Sequence, residues 1–185
     1  MLTSYFAGVG FDPQSVDTLA RSFTPREFRK GEHFVQEGRT STHLGFVESG
    51  LFQYYLLVDG EERTTHTISG GKFIASLVSL FKSVPARENI RAVVDSVVWI
   101  LEKSTLTSLQ QEVPGFKDFY IGLLEWEIGC IDDSRLDGLM LNAQQRYHKL
   151  LEEEPHLLQQ IPLHYLASML GVTPRHLSRI RKTVR

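Results

Sequence analysis

Only one cysteine, Cys130, occurs among the 185 residues. No disulfide framework can close within the chain, and no zinc or iron–sulfur site can draw several cysteines from it. Long hydrophobic runs are missing too: nothing approaches the roughly 18–20 apolar residues of a membrane span. The N-terminus, MLTSYFAGVGFDPQ, has no basic segment ahead of an apolar one, so a secretory signal is not expected and a cytoplasmic location is. There are no internal repeats or low-complexity tracts. There is no P-loop, nucleophile elbow, paired-carboxylate motif or His-x-His pair. His33, His43 and His66 are spaced like no metal motif. The sequence therefore predicts no enzyme, no metal and no cofactor.

What is present is a core. The chain is 42% hydrophobic and 23% charged, with 11 Phe, 6 Tyr and 2 Trp, which disfavours disorder and suits one large domain or two small ones. Charge is unevenly spread. Residues 1–138 hold 13 Lys+Arg against 19 Asp+Glu, whereas residues 139–185 hold 7 against 3. Five of those seven cations fall between Arg175 and Arg185, where there is no acid. A basic tail on an acidic body makes nucleic acid its first candidate partner.

The patterning divides the chain. Residues 14–29 read as one or two helices, with Val16, Leu19, Ala20 and Phe23 at helical spacing and a new segment from Thr24-Pro25. From about 31 to 102 short strands are predicted at 32–35, 44–47, 51–58, 62–68, 90–94 and 97–101. Asp59-Gly60 marks a tight hairpin, and the last two runs form a further pair around Asp95-Ser96. Residues 70–81 read as a turn, a strand end and a short helix. After Pro114 an apolar stripe of Phe116, Tyr120, Leu123, Leu124, Ile128 and Ile131 predicts a helix to about Leu136, roughly 30 Å long. So long a stripe beside a small barrel favours pairing with a second copy through residues 116–136. Asp137-Gly138 reads as a hinge. A helix follows over 139–153, carrying Leu139, Ala143, Arg146, Tyr147, Leu150 and Leu151 along one side.

The most informative segment runs from Ile161 to Lys182. Pro162 suits a first helical turn, and Leu166, Ala167 and Leu170 make an inner face on which small Ala167 lets another helix approach. Gly171 can stop that helix at positive φ, Thr173 can cap the next one, and Pro174 falls at its first position. Leu177 and Ile180 then face inward, leaving Arg175, His176, Ser178, Arg179 and Lys182 outside. This is a helix–turn–helix pattern, whose second helix enters the DNA major groove. Arg175 and Arg179 share a face and suit bidentate contacts to guanine. Arg181, Lys182 and Arg185 suit phosphates. The predicted DNA-binding set is Thr173, Arg175, His176, Ser178, Arg179, Arg181 and Lys182.

On these residues, and on Lys30-Gly31-Glu32, Gly50-Leu51 and Gly70 to Arg91, the chain resembles the Crp/Fnr transcription regulators, the catabolite-activator family, over about 10–183. The resemblance implies an α+β fold with three parts. Residues 1–114 form an antiparallel β-roll with flanking helices, 115–138 a dimerisation helix and hinge, and 139–185 a helix–turn–helix domain. It implies a homodimer on a palindromic double-stranded operator. It also implies an effector pocket near Gly70, Gly71, Ala75, Ser76, Leu77, Arg87, Glu88 and Cys130. Cyclic-nucleotide binders of the family place a glutamate where this chain has Ala75 or Ser76. They follow the phosphate-binding arginine, here Arg87, with a small residue where this chain has Glu88. That departure argues against cAMP and leaves another small effector, or none, with Arg87 as an ion-pair partner of Glu88 or a loop acid. The chain ends at Arg185, without the family's β-hairpin wing. Two other readings fit a small barrel: a cupin-like small-molecule or metal-binding protein, and a degenerate module that binds protein rather than DNA.

Overall fold

Asp59 and Gly60 organise the strand-rich half. In the computed structural model, which describes residues 1–183, both have positive φ, 54° and 81°, as a two-residue hairpin turn requires. The turn joins β4 (Leu51–Val58) to β5 (Glu61–Ser69), with a bulge between Tyr54 and Tyr55. These two strands and β7 (Asn89–Ala92) and β2 (His33–Val35) form a sheet in the order β2-β7-β4-β5. A second sheet has the order β1-β8-β3-β6, from β1 (Thr24–Phe28), β8 (Ser96–Glu102), β3 (His43–Ser49) and β6 (Phe73–Ile74). Every pairing is antiparallel. The inner faces close over Phe28, Phe34, Phe52, Ile74, Ile90 and Val98. Gly45 on β3 permits that closure: a Cβ there would lie 2.6–2.9 Å from the side chains of Val98, Ile74 and Phe34.

A second, aromatic core sits beside the roll. It is built by α1 (Leu2–Val9), α2 (Pro13–Ser22), α4 (Lys103–Glu112) and the first turns of α5 (Phe116–Met140). Asp12 caps α2 by accepting from the Gln14 and Ser15 amides, with Pro13 in the first turn. Phe6, Phe46 and Phe116 are buried there, with Tyr5, Phe11 and Phe119 packed against them. The short α3 (Leu77–Lys82) closes the roll between β6 and β7.

The structure corrects several expectations. The helix expected over 14–29 ends at Ser22, and Thr24–Phe28 is β1, an edge strand where Pro25 is tolerated. The runs around Asp95-Ser96 are not a hairpin. β7 pairs with β2 and β4, and β8 with β1 and β3, so the intervening residues carry the chain between sheets. Asp137-Gly138 is no hinge: α5 continues to Met140, and the Lys149 ammonium holds the Asp137 carboxylate at 2.6 Å. The break falls at Leu141-Asn142, where Asn142 and Gln145 form a reciprocal capping box that starts α6 (Ala143–Glu153) four residues later than expected.

The apolar stripe on α5 is two faces rather than one. Phe116, Phe119 and Tyr120 pack on the roll, and Glu127 behind them is half-buried. On the other side Ile121, Ile128 and Ile131 are 43%, 64% and 53% exposed. Beyond α5, α6 is followed by α7 (Pro155–Gln160), α8 (Leu163–Met169) and α9 (Pro174–Thr183). These helices share a third core with Leu51 and Val93 of the roll. Among the described residues no helix is long and apolar enough to cross a membrane.

Candidate functional site

The turn between α8 and α9 is built from local backbone chemistry. Gly171 has φ +67°. Its amide donates to the Ser168 carbonyl at 3.0 Å, and the Val172 amide to the Ala167 carbonyl at 2.9 Å. Together these make a Schellman stop. The Arg146 guanidinium from α6 donates to the Leu170 carbonyl at 2.7 Å, satisfying another acceptor at that helix end. Thr173 Oγ1 accepts from the His176 amide at 3.2 Å, and Pro174 opens the helix. Pro162 precedes α8 in extended geometry rather than lying in its first turn.

Leu166, Ala167, Leu170, Leu177 and Ile180 are all buried, Ala167 and Leu177 completely. That packing fixes which side of α9 faces out. Thr173, Arg175, His176, Ser178, Arg179, Arg181 and Lys182 are all exposed. Among the described residues none of the four cations in this set joins an ion pair. Ser178 donates its hydroxyl to the Pro174 carbonyl at 2.9 Å, so it presents acceptor lone pairs outward. A concavity of about 530 Å³ gathers Thr173, Arg175, His176, Arg179 and Thr183 with Gln144 from the first turn of α6. Gln144 escaped the sequence reading because it lies off the apolar side of its helix. Its position two residues after the cap at Asn142 is the signal that could have found it. Arg185 lies outside the described residues.

The expected effector residues converge only in part. Ala75 and Ser76 are buried at the end of β6, where Ser76 precedes α3. The Tyr54 hydroxyl lies 3.3 Å from the Ala75 amide, from which it accepts, and 3.4 Å from the Ala75 carbonyl, to which it donates. Burial pushes the Tyr54 phenol far above its ordinary value. Ser76 Oγ donates to Glu88 Oε1 at 2.9 Å. Burial raises the Glu88 carboxyl above its ordinary 4.5, with the Ser76 hydrogen bond opposing the rise. Glu88 is thus paired with Ser76. The expected ion pair to Arg87 is not formed: Arg87 is exposed and joins no ion pair among the described residues. Gly70 and Gly71 form the turn before β6, and Leu77 packs against the aromatic core. Cys130 is exposed on α5, and partial burial first, then Glu127 and Asp133, raise its thiol pKa. His33 bonds the Tyr55 hydroxyl, and His43 Nε2 is buried without a partner. Among the described residues no group of three His, Cys, Asp or Glu could hold a metal ion.

Residues 25–112 match the cyclic nucleotide-binding domain family. No curated protein matches the chain in sequence. Among solved structures, FixK2 from Bradyrhizobium japonicum superposes with a TM-score of 0.76 at 19% identity, over 88% of this chain and 84% of that one. The catabolite activator protein of Thermus thermophilus gives 0.61 at 24% identity, over 95% and 84%. A protein taken as a Crp/Fnr-family transcriptional regulator, from Eubacterium rectale, gives 0.70 at 16% identity, over 97% and 87%. Residues 25–112 therefore match a cyclic nucleotide-binding-type domain, and the chain has the α+β fold of these regulators.

Proposed function

We propose that this protein is a dimeric, sequence-specific DNA-binding transcriptional regulator of Crp/Fnr type, acting in the cytoplasm, whose roll does not take cAMP. One observation carries the reading. α9 is held by a buried Leu177–Ile180 side, while Arg175, Arg179, Arg181 and Lys182 project outward without acidic partners among the described residues. A cationic helix presented this way suits the major groove. Arg175 and Arg179 would read bases, Ser178 would offer its acceptor lone pairs to a base amino group, and Arg181 and Lys182 would meet phosphates. Gln144 and Thr173 flank the same concavity.

The dimer reading rests on the outward face of α5. Ile121, Leu124, Ile128 and Ile131 alternate at three- and four-residue steps, the spacing of a coiled-coil seam. A symmetric pair through this seam would read two half-sites about one DNA turn apart. The cAMP reading rests on Glu88, whose carboxylate occupies the Ser76 hydroxyl beside α3 and would oppose a phosphate there.

The test is selection of duplexes from a randomised pool by the purified protein, followed by anisotropy titration. A palindromic sequence bound at two chains per duplex is expected. Arg179→Ala should cost about 1–3 kcal/mol on that duplex and flatten its preference at one base position per half-site. Equal affinity of parent and variant for every duplex would overturn the assignment.

A further inference from the structure

One face of the β2-β7-β4-β5 sheet is the roll interior, lined by Phe52, Ile68 and Ile90. Strand alternation turns Leu51, Gln53, Arg91 and Val93 to the opposite face, and the helix–turn–helix unit sits there. Leu51 and Val93 join its apolar core, but most of the named contacts are polar. Arg91 forks onto Glu62 at 2.9 and 2.6 Å, donates to Gln53 Oε1 at 3.0 Å, and reaches the Tyr165 hydroxyl of α8 at 3.4 Å. Its guanidinium also lies 4.6 Å over the Tyr55 ring. Gln53 is fully buried and passes its amide to Thr64 Oγ1 at 2.9 Å. Thr64, on edge strand β5, donates its backbone N–H to Ser168 Oγ of α8 at 2.9 Å. An edge N–H that would otherwise need solvent is thereby given to the reading unit. A third tie, Lys72 to Glu154 at 2.6 Å, joins the turn before β6 to the α6–α7 junction.

We infer that Arg91 is the positioning residue of a polar clamp that holds α8 on the outer face of this sheet and so fixes the direction in which α9 presents its cations. Three features support it. Arg91 bonds at once to β4, β5 and α8 through Gln53, Glu62 and Tyr165. Its planar fork suits such a convergence as a lysine ammonium does not. The sheet it orders carries Tyr54 on β4, whose hydroxyl meets Ala75 on the roll side. The clamp is thus mounted on the strand that also lines the effector region. Two α9 helices held at fixed direction engage two half-sites without first losing orientational freedom, which is where preorganisation adds affinity.

What the orientation serves rests on the DNA-reading proposal; the clamp does not. The test therefore uses two readouts on the intact protein: amide hydrogen exchange, and anisotropy titration with the palindromic duplex that the parent selects. Ser168→Ala/Tyr165→Phe, which removes both α8 partners, should speed exchange of the Thr64 amide about fivefold or more. It should also weaken duplex binding about three- to tenfold. Arg91→Lys, which keeps the charge, should do the same. Ser168→Thr, which keeps an acceptor, should restore parental behaviour. Unchanged Thr64 exchange in the double variant would overturn the clamp. Faster exchange with unchanged or tighter duplex binding would overturn its orienting role, and parental behaviour of Arg91→Lys would overturn the assignment to Arg91. If the parent selects no duplex, the DNA reading falls, and the exchange data still decide the clamp.

Discussion

On α9, Arg175, Arg179, Arg181 and Lys182 stand exposed and pair with no acid among the described residues. At the start of α3, by contrast, the buried Ser76 hydroxyl is taken by the half-buried carboxylate of Glu88. The first region is an open cationic surface resting on a small core. The second is a closed acidic seat at the edge of a large one. The first would suit a polyanion, and the second would oppose a small anion. In both places the deciding residue is positioned by what it rests on: Leu177 and Ile180 behind the arginines, the Ser76 hydroxyl beside Glu88.

The supporting core is smaller behind α9 than behind α3. Leu177 is fully buried between α8 and α9. Leu177→Ala should cost about 2–5 kcal/mol, the range for a buried leucine that leaves a cavity. That is a large share of what a short helical unit can hold. Calorimetry should show the helix–turn–helix unit melting ahead of a preserved roll transition, with duplex binding lost. A single unshifted transition would mean that the reader does not depend on this packing.

How far each region was legible follows from how local its causes are. The turn at 171–174 was readable because glycine, cap threonine and proline act within four residues. The β4–β5 hairpin was readable for the same reason at Asp59-Gly60. The partners of β7 and β8 were not, because a strand's neighbour is chosen across the sheet, and these two turned out to belong to different sheets. α1 escaped because its buried Leu2 and Phe6 are too few to set a period. On α5 one stripe was read that lacked Phe119 and Ile121, and its division into two faces was not seen, since only contact with the roll distinguishes Tyr120 from Ile121. The cations of α9 could be listed from sequence, whereas Gln144 joins them only through the tertiary approach of α6. At the effector seat, Glu88 was recognised as out of place. Ser76 was singled out too, but the hydrogen bond that joins the two across twelve residues was not foreseen.

The acidic seat gives the next effects. Glu88→Thr removes the carboxylate and supplies a small hydroxyl. A unit charge about 4 Å from a phosphate at an effective dielectric near 20 is worth up to about 4 kcal/mol. A gain of at least about tenfold in cAMP affinity is therefore expected by isothermal titration. An unchanged affinity would show that the resistance lies elsewhere, at Ala75 or Ser76. Glu88→Gln should instead stabilise the roll near neutral pH, because the parent holds a charge that burial disfavours. The sign of the pH dependence is set by the raised carboxyl. The folded state binds its proton at higher pH than the unfolded chain, so this group's penalty is full above its folded pKa and fades as pH falls toward 4.5. Thermal melts should show that slope in the parent and lack it in Glu88→Gln. His43 acts with the opposite sign. Burial first, with Arg26 adding, lowers its imidazole below 6.5 against the pull of Glu102, so stability falls as pH drops below that value.

The smallest effect separates the two kinds of cation within α9. Lys182 lies in the last turn of α9, so in the proposed docking it would contact phosphate rather than base edges. A phosphate contact contributes through counterion release, and each one adds about 0.9 to the slope of log affinity against log salt. Lys182→Ala should lower that slope by about one such step per chain. It should weaken selected and random duplexes by equal factors and leave the base preference where it was. Arg179→Ala should reverse the pattern, with a large loss on the selected duplex and a small one on random sequence. If the two variants lose specificity alike, the cations of α9 act as one undivided basic patch, and the division into readers and holders fails.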